Sequence, residues 1–127
     1  MNRALILTVE NEALLTMLLE QMLATAGYDV IAAYNADEAI AILENRSDVA
    51  FMITDVEMAG SMNGLALAAA VRRRWPRVGV IVTSGRFPPN LAPLPHGSIF
   101  VAKPYLADEI VRAIEEFQVG AEASGAT

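Results

Sequence analysis

The chain has 127 residues, no cysteine and a formal charge of −6. That length suits one ordinary domain able to close a hydrophobic core unaided, and the lack of Cys excludes a disulfide framework and any thiolate metal site. The acidic balance makes it a poor nonspecific ligand for nucleic acid, and no signal-peptide pattern or spanning-length apolar run is present, so a cytoplasmic protein with neither nucleic acid nor membrane as partner is expected.

Ala4 to Val9 is a short apolar run that suits a buried strand. The next helix, predicted over Glu12 to Ala26, places Leu15, Leu18, Leu19 and Met22 on one face and has Gly27 as its stop. Tyr28 to Ala32 reads as a second strand. Asn35 is expected to cap a helix, with Glu38 able to complete a capping box and Ala39, Ile42 and Leu43 as the apolar stripe. Val49 to Thr54 is a third strand, apolar on both faces. Asn63 and Gly64 lead into a helix over Leu65 to Trp75 that Pro76 ends, and Val78 to Thr83 is a fourth apolar strand. Ser98 to Ala102 forms a fifth. The last helix runs from Leu106 to Val119 with Ile110, Val111 and Ile114 inward and Phe117 close to that stripe. Residues 1–119 are thus expected to form one domain, and 120–127, small and polar, a flexible tail.

Apolar strands separated by helices argue for an α/β fold: a five-stranded parallel sheet, doubly wound, with helices on both faces and right-handed crossovers. Such sheets bind ligands at the carboxyl ends of their strands. At that rim the first strand offers Glu10 and Asn11, the third Asp55, the fourth Thr83 and Ser84, and the fifth Lys103 followed by Pro104. Each has an ordinary explanation taken singly. Acids after strands often serve as helix caps, Asp before "GSMNG" can form a turn, Thr and Ser can cap, and most lysines are surface groups.

Convergence at one rim makes the set a candidate phosphoryl site. An aspartate oxygen can act as a nucleophile and carry a phosphoryl group, which then needs a hard cation, a point positive charge and a neutral donor around it. Asp55 is the candidate nucleophile, Glu10 a ligand or orienter of Mg2+, Thr83 the hydroxyl donor and Lys103 the cation. His96, the one histidine, lies in a proline-rich loop and suits a surface position better than a general base.

From Leu5 to about Phe117 the sequence resembles the receiver domain of two-component response regulators. The resemblance rests on Glu10 and Asn11 after the first strand, Asp55 in "MITDVEMAG", Thr83 in "VIVTSG", Lys103 in "AKPY" and Phe100 three residues before it. "GSMNGL" and "WPRVGVIVTSG" look, more loosely, like receiver modules found alone or appended to sensory histidine kinases in alphaproteobacteria. The resemblance implies a flavodoxin-like topology, phosphorylation on Asp55, Mg2+ bound with help from Glu10, Asn11 and the main-chain carbonyl of Glu57, and an aromatic switch at Phe100 coupled to Thr83. Two departures stand out. Asn11 replaces an acid, so a weakened Mg2+ site is expected. Prolines at 88, 89, 93 and 95 in "RFPPNLAPLPHG" imply that the fourth helix of receivers is short or irregular here.

The expected function is a phosphoacceptor domain charged by a histidine kinase or phosphotransfer protein, with Mg2+-dependent self-phosphorylation and dephosphorylation at Asp55 and an unknown downstream protein target. No DNA-binding output is expected of this chain, since the residues after Phe117 are too few for a helix-turn-helix. Two other readings compete: a phosphorylation-independent receiver-like binding module, given Asn11, and a small-molecule phosphatase with Glu57 as general acid.

Overall fold

A computed structural model describes residues 3–57, 62–85 and 94–125. Nine elements follow in order: β1 (Leu5–Val9), α1 (Ala13–Thr25), β2 (Asp29–Ala33), α2 (Ala36–Asn45), β3 (Val49–Asp55), α3 (Gly64–Arg74), β4 (Gly79–Ser84), β5 (Ile99–Ala102) and α4 (Ala107–Gly125). The strands make one parallel sheet in the order β2-β1-β3-β4-β5. This is the expected five-stranded, doubly wound arrangement. Residues 86–93, on which most of the irregular fourth helix was placed, lie outside the described residues.

Strand period organises the core. Successive side chains point to opposite faces of a sheet, so neighbours in one strand enter different cores. Leu7, Met52, Val80 and Val82 pack with Ala39 and Leu43 of α2 and Leu67, Ala68 and Val71 of α3. Ile6, Phe51, Ile53 and Ile81 pack instead with Leu19 and Leu23 of α1 and Ile110, Ala113 and Ile114 of α4. Burial on both faces explains why these strands read as continuous apolar runs.

Local signals account for several boundaries. Asn35 caps α2, accepting from the Glu38 N–H at 2.8 Å, while Glu38 Oε1 accepts from the Tyr34 N–H at 2.7 Å, one residue earlier than a standard capping box. Asn63 caps α3 by accepting from the Ala66 N–H at 2.9 Å. Gly27, at φ 98°, closes α1 in a Schellman arrangement: its N–H donates to the Ala24 carbonyl and the Tyr28 N–H to that of Leu23, both at 3.0 Å.

Two expectations need correction. The buried face of α1 is Thr16, Leu19 and Leu23, whereas Leu18 is 44% exposed, with Leu14 at 67% and Met17 at 60%. Leucine and methionine occur all around this helix, so periodicity alone does not select a face. The last helix continues past Val119 to Gly125; Ala121, Glu122 and Ala123 are good helix formers, no proline intervenes, and each added residue contributes one backbone bond.

Arg72 of α3 knits the amino end of the sheet together. Its Nε donates to the His96 carbonyl at 3.1 Å, and its Nη1 to the carbonyls of Pro76 at 3.1 Å and Val78 at 3.3 Å. The His96 side chain is exposed.

Gly64 starts α3 against the end of β3. Its N–H donates to the Val56 carbonyl at 3.0 Å, and a Cβ at this position would fall on the Asp55 carbonyl. Alanine in place of glycine favours a helix by about 1 kcal/mol, but overpacking against backbone costs about 1–3 kcal/mol and wins here. Gly64→Ala is therefore expected to lower stability by up to about 2 kcal/mol, read as a lower urea midpoint with an unchanged slope.

Candidate functional site

Strand order reverses between β1 and β3, because the chain leaves β1 for β2 on one side and returns to β3 on the other. A crevice at the carboxyl ends is the result. Register sets what lines it: Val9 pairs with Thr54 and Asp55 with Thr83, while Ser84 pairs with Ala102. Glu10, Asp55 and Lys103 thereby meet at one point although they are far apart in the chain.

The Lys103 ammonium lies 3.2 Å from Glu10 Oε2 and 3.2 Å from Asp55 Oδ2. Both carboxylates are about 5% exposed. Glu10 Oε1 also accepts from the Glu12 N–H at 3.2 Å. Asp55 Oδ1 is buried and has no hydrogen-bond partner among the described residues. Burial, the principal cause, together with the charges of Glu10 and Glu57, raises Asp55 from the ordinary 3.8 to about 6 against the opposing pull of Lys103. For Lys103, burial disfavours the charge, yet the adjacent Asp55 and Glu10 carboxylates outweigh it and raise the ammonium. Burial, then the same two carboxylates, raises Tyr105 against Lys103.

The remaining candidates stand close by in different roles. Thr83 is buried beside Asp55, but its hydroxyl donates to the Thr54 carbonyl at 3.4 Å. Asn11 is exposed next to Glu10; it is not the α1 cap, which falls on Glu12 without a side-chain bond. Phe100 is half-buried against the α2/α3 core and sits diagonally from Thr83, since Val82 pairs with Phe100 and Thr83 with Val101. The Glu57 side chain turns to β4: Oε2 accepts from the Ser84 hydroxyl at 2.7 Å and Oε1 from the Gly85 N–H at 3.3 Å.

Sequence reasoning missed the last contact and also Tyr105. With Leu15, Leu18, Leu19, Met22 and Pro104, Tyr105 lines an apolar groove of about 450 Å³ that has Lys103 and Gly85 at its edge. The signal for Glu57 was its spacing from Asp55 combined with the polar "TSG" at the adjacent strand end.

The donor set fits a hard divalent cation. Glu10 and Asp55 supply charged oxygens, Asn11 can add a neutral one, and Asp55 Oδ1 is an acceptor that no hydrogen bond among the described residues uses.

Residues 6–115 match the response regulator receiver domain, and the chain belongs to that family. It is a phosphoacceptor signalling domain of the two-component type. The chain is 32% identical over 126 residues to the nitrogen assimilation regulatory protein NtrX of Azorhizobium caulinodans, a match covering 92% of this chain and 27% of that protein. It spans about a quarter of the length of the curated relatives it matches. The signal receiver domain of an HD domain-containing protein from Pseudomonas fluorescens superposes with a TM-score of 0.85 at 21% identity, over 96% of this chain and 99% of that one. The response regulator TrrA of Thermotoga maritima, solved in complex with Mg2+ and BeF, gives 0.81 at 24% identity, over 89% and 97%. Among the described residues no helix is long and apolar enough to cross a membrane.

A pH prediction follows from Asp55. Its folded-state value of about 6 lies above the ordinary 3.8, so the native state binds the extra proton in that window and this carboxyl's contribution to stability falls as pH rises through it. In metal-free buffer, Asp55→Asn is expected to be more stable than wild type at pH 8 by about 1–3 kcal/mol. The difference should shrink as pH falls toward 4, measured by urea unfolding at each pH.

Proposed function

We propose that Asp55 is the phosphoacceptor, charged in the cytoplasm by a histidine kinase or phosphotransfer protein, and that the change is read by a protein target. One observation carries this reading: Asp55 Oδ1 is a buried carboxylate oxygen without a partner among the described residues, on a residue whose other oxygen is held by Lys103. An acceptor left bare beside a fixed cation is suited to attack and to subsequent charge compensation.

In the transfer, an Asp55 oxygen attacks phosphorus, an O–P bond forms, and the P–N bond of a phosphohistidine breaks with its electron pair passing to the imidazole nitrogen. The raised value of Asp55, about 6, still leaves the carboxylate ionised at neutral pH. Lys103 already sits within reach and offers its charge to the new oxygens. Thr83 gives up the long bond to the Thr54 carbonyl and donates to the phosphoryl group instead. Its movement is transmitted across the ladder to Phe100, the switch aromatic. Loss of the phosphoryl group to water returns Asp55 to its resting state.

Mg2+, when bound, supplies electrostatic stabilisation of the phosphoryl oxygens. Glu10, Asp55, Asn11 and the Glu57 main-chain carbonyl would hold it. Glu10 and Asp55 are the two carboxylates of that set and Asn11 a neutral amide, which makes it a weakened site completed by neutral oxygens. The phosphatase reading is disfavoured because the Glu57 carboxylate is engaged by Ser84 and Gly85, leaving it poorly placed as a general acid.

Titrating Mg2+ into wild type and Asn11→Asp, with labelling by a small acyl-phosphate donor as readout, tests this. The added carboxylate is expected to tighten Mg2+ binding about tenfold, with labelling in both proteins and none in Asp55→Asn. Wild type that stays unlabelled at saturating metal with a competent kinase would make the chain a phosphorylation-independent binding module.

A further inference from the structure

We propose that the Glu57 side chain is a latch that holds Ser84 and Gly85, at the end of β4, in their resting position and opposes occupation of the Asp55 site by a phosphoryl group. This rests on the phosphoacceptor reading and goes beyond the main-chain role expected for Glu57.

Three bonds stitch the ends of β3 and β4. The Val56 N–H donates to the Thr83 carbonyl at 2.8 Å, the Ser84 hydroxyl to Glu57 Oε2 at 2.7 Å, and the Gly85 N–H to Glu57 Oε1 at 3.3 Å. The first belongs to the parallel ladder's continuation. The other two come from one carboxylate spanning the gap between two loops, and the shorter is a charge-assisted bond to a buried serine. Ser84 follows Thr83 directly, so fixing Ser84 also limits how far Thr83 can move. In this arrangement the Thr83 hydroxyl faces the Thr54 carbonyl. The Ser84 carbonyl, in turn, accepts from the Lys103 N–H at 2.9 Å. The serine that Glu57 grips is therefore tied by its backbone to the residue that compensates charge at Asp55.

A phosphoryl group on Asp55 adds about −1.5 to −2 charges two residues from Glu57. Its oxygens repel the Glu57 carboxylate and compete for donors on the β4 loop. Glu57 thus acts as a built-in anion that occupies those donors until a stronger anion arrives. It is a positioning residue, acting through Ser84 and Gly85.

The first test is amide hydrogen exchange on the unphosphorylated full chain in chelator. Gly85 exchange is expected to speed up about tenfold or more in Glu57→Ala. Ser84→Ala, which leaves every charge in place, should accelerate it to a lesser degree, and Glu57→Gln, whose amide oxygen can still accept, should preserve most of the protection. Exchange at Gly85 equal to wild type in both alanine variants overturns the latch. The second test measures binding of Mg2+ with beryllofluoride. Glu57→Ala and Ser84→Ala should each bind about three- to tenfold tighter, and the double variant less tightly than the product of the two gains, because both break one contact. Unchanged affinity in Ser84→Ala, or fully multiplicative gains, overturns the opposing role. Failure of every protein, wild type included, to bind the analogue counts against the phosphoacceptor reading, and the exchange result then decides the latch by itself.

Discussion

The ammonium of Lys103, held 3.2 Å from both Glu10 Oε2 and Asp55 Oδ2, is the contact on which the carboxyl rim depends. Two carboxylates brought to the end of a sheet that is apolar on both faces repel each other in a medium of low effective dielectric. A single partly buried cation between them makes the arrangement possible, and its removal would leave two buried charges uncompensated. Compensation is incomplete: Asp55 remains raised to about 6, with burial as the main cause. The rim therefore carries a surplus of negative charge and favours any further positive partner.

Topology delivers these groups without any local motif. Parallel strands all end on the same side, so the reversal between β1 and β3 opens a crevice whose walls are strand termini. Gly64 lets α3 begin directly against the Asp55 carbonyl, and the Asp55 backbone is thereby braced from outside the sheet. Chemistry at the rim and packing beneath it are parts of one construction: the alternation that sends Leu7 and Ile6 into separate cores also brings each strand out of the core at its polar end.

Much of this was legible in the sequence, for identifiable reasons. Asn35, Asn63 and Gly27 act through bonds to residues within a few positions, so they could be recognised without tertiary information. Glu10, Asp55 and Lys103 stood out because each follows an apolar run that leaves no local need for charge. The inward face of α1 was not legible, since Leu and Met surround it and only contact with the sheet selects Thr16, Leu19 and Leu23. Nor were the Thr83 hydroxyl's bond to Thr54 and the Glu57 carboxylate's reach to Ser84. Both depend on rotamers chosen by neighbours from other strands. The extension of α4 past Val119 was missed because small polar residues suggest a tail, whereas helix propagation from an anchored start needs only the absence of a breaker.

Arg72 gives the opposite end of the sheet a mechanical character. By gripping the carbonyls of Pro76, Val78 and His96, it clamps the segments that enter β4 and β5 to the same helix. At the other end those two strands carry Ser84 and Lys103, and β5 is a short edge strand of four residues with a single neighbour. Arg72 thus anchors the root of both strands, while β3 pairs with β4 along its length and β4 alone pairs with β5. Among the described residues the outer edge of β5 has no strand beside it, so this is where the sheet is held least by backbone pairing.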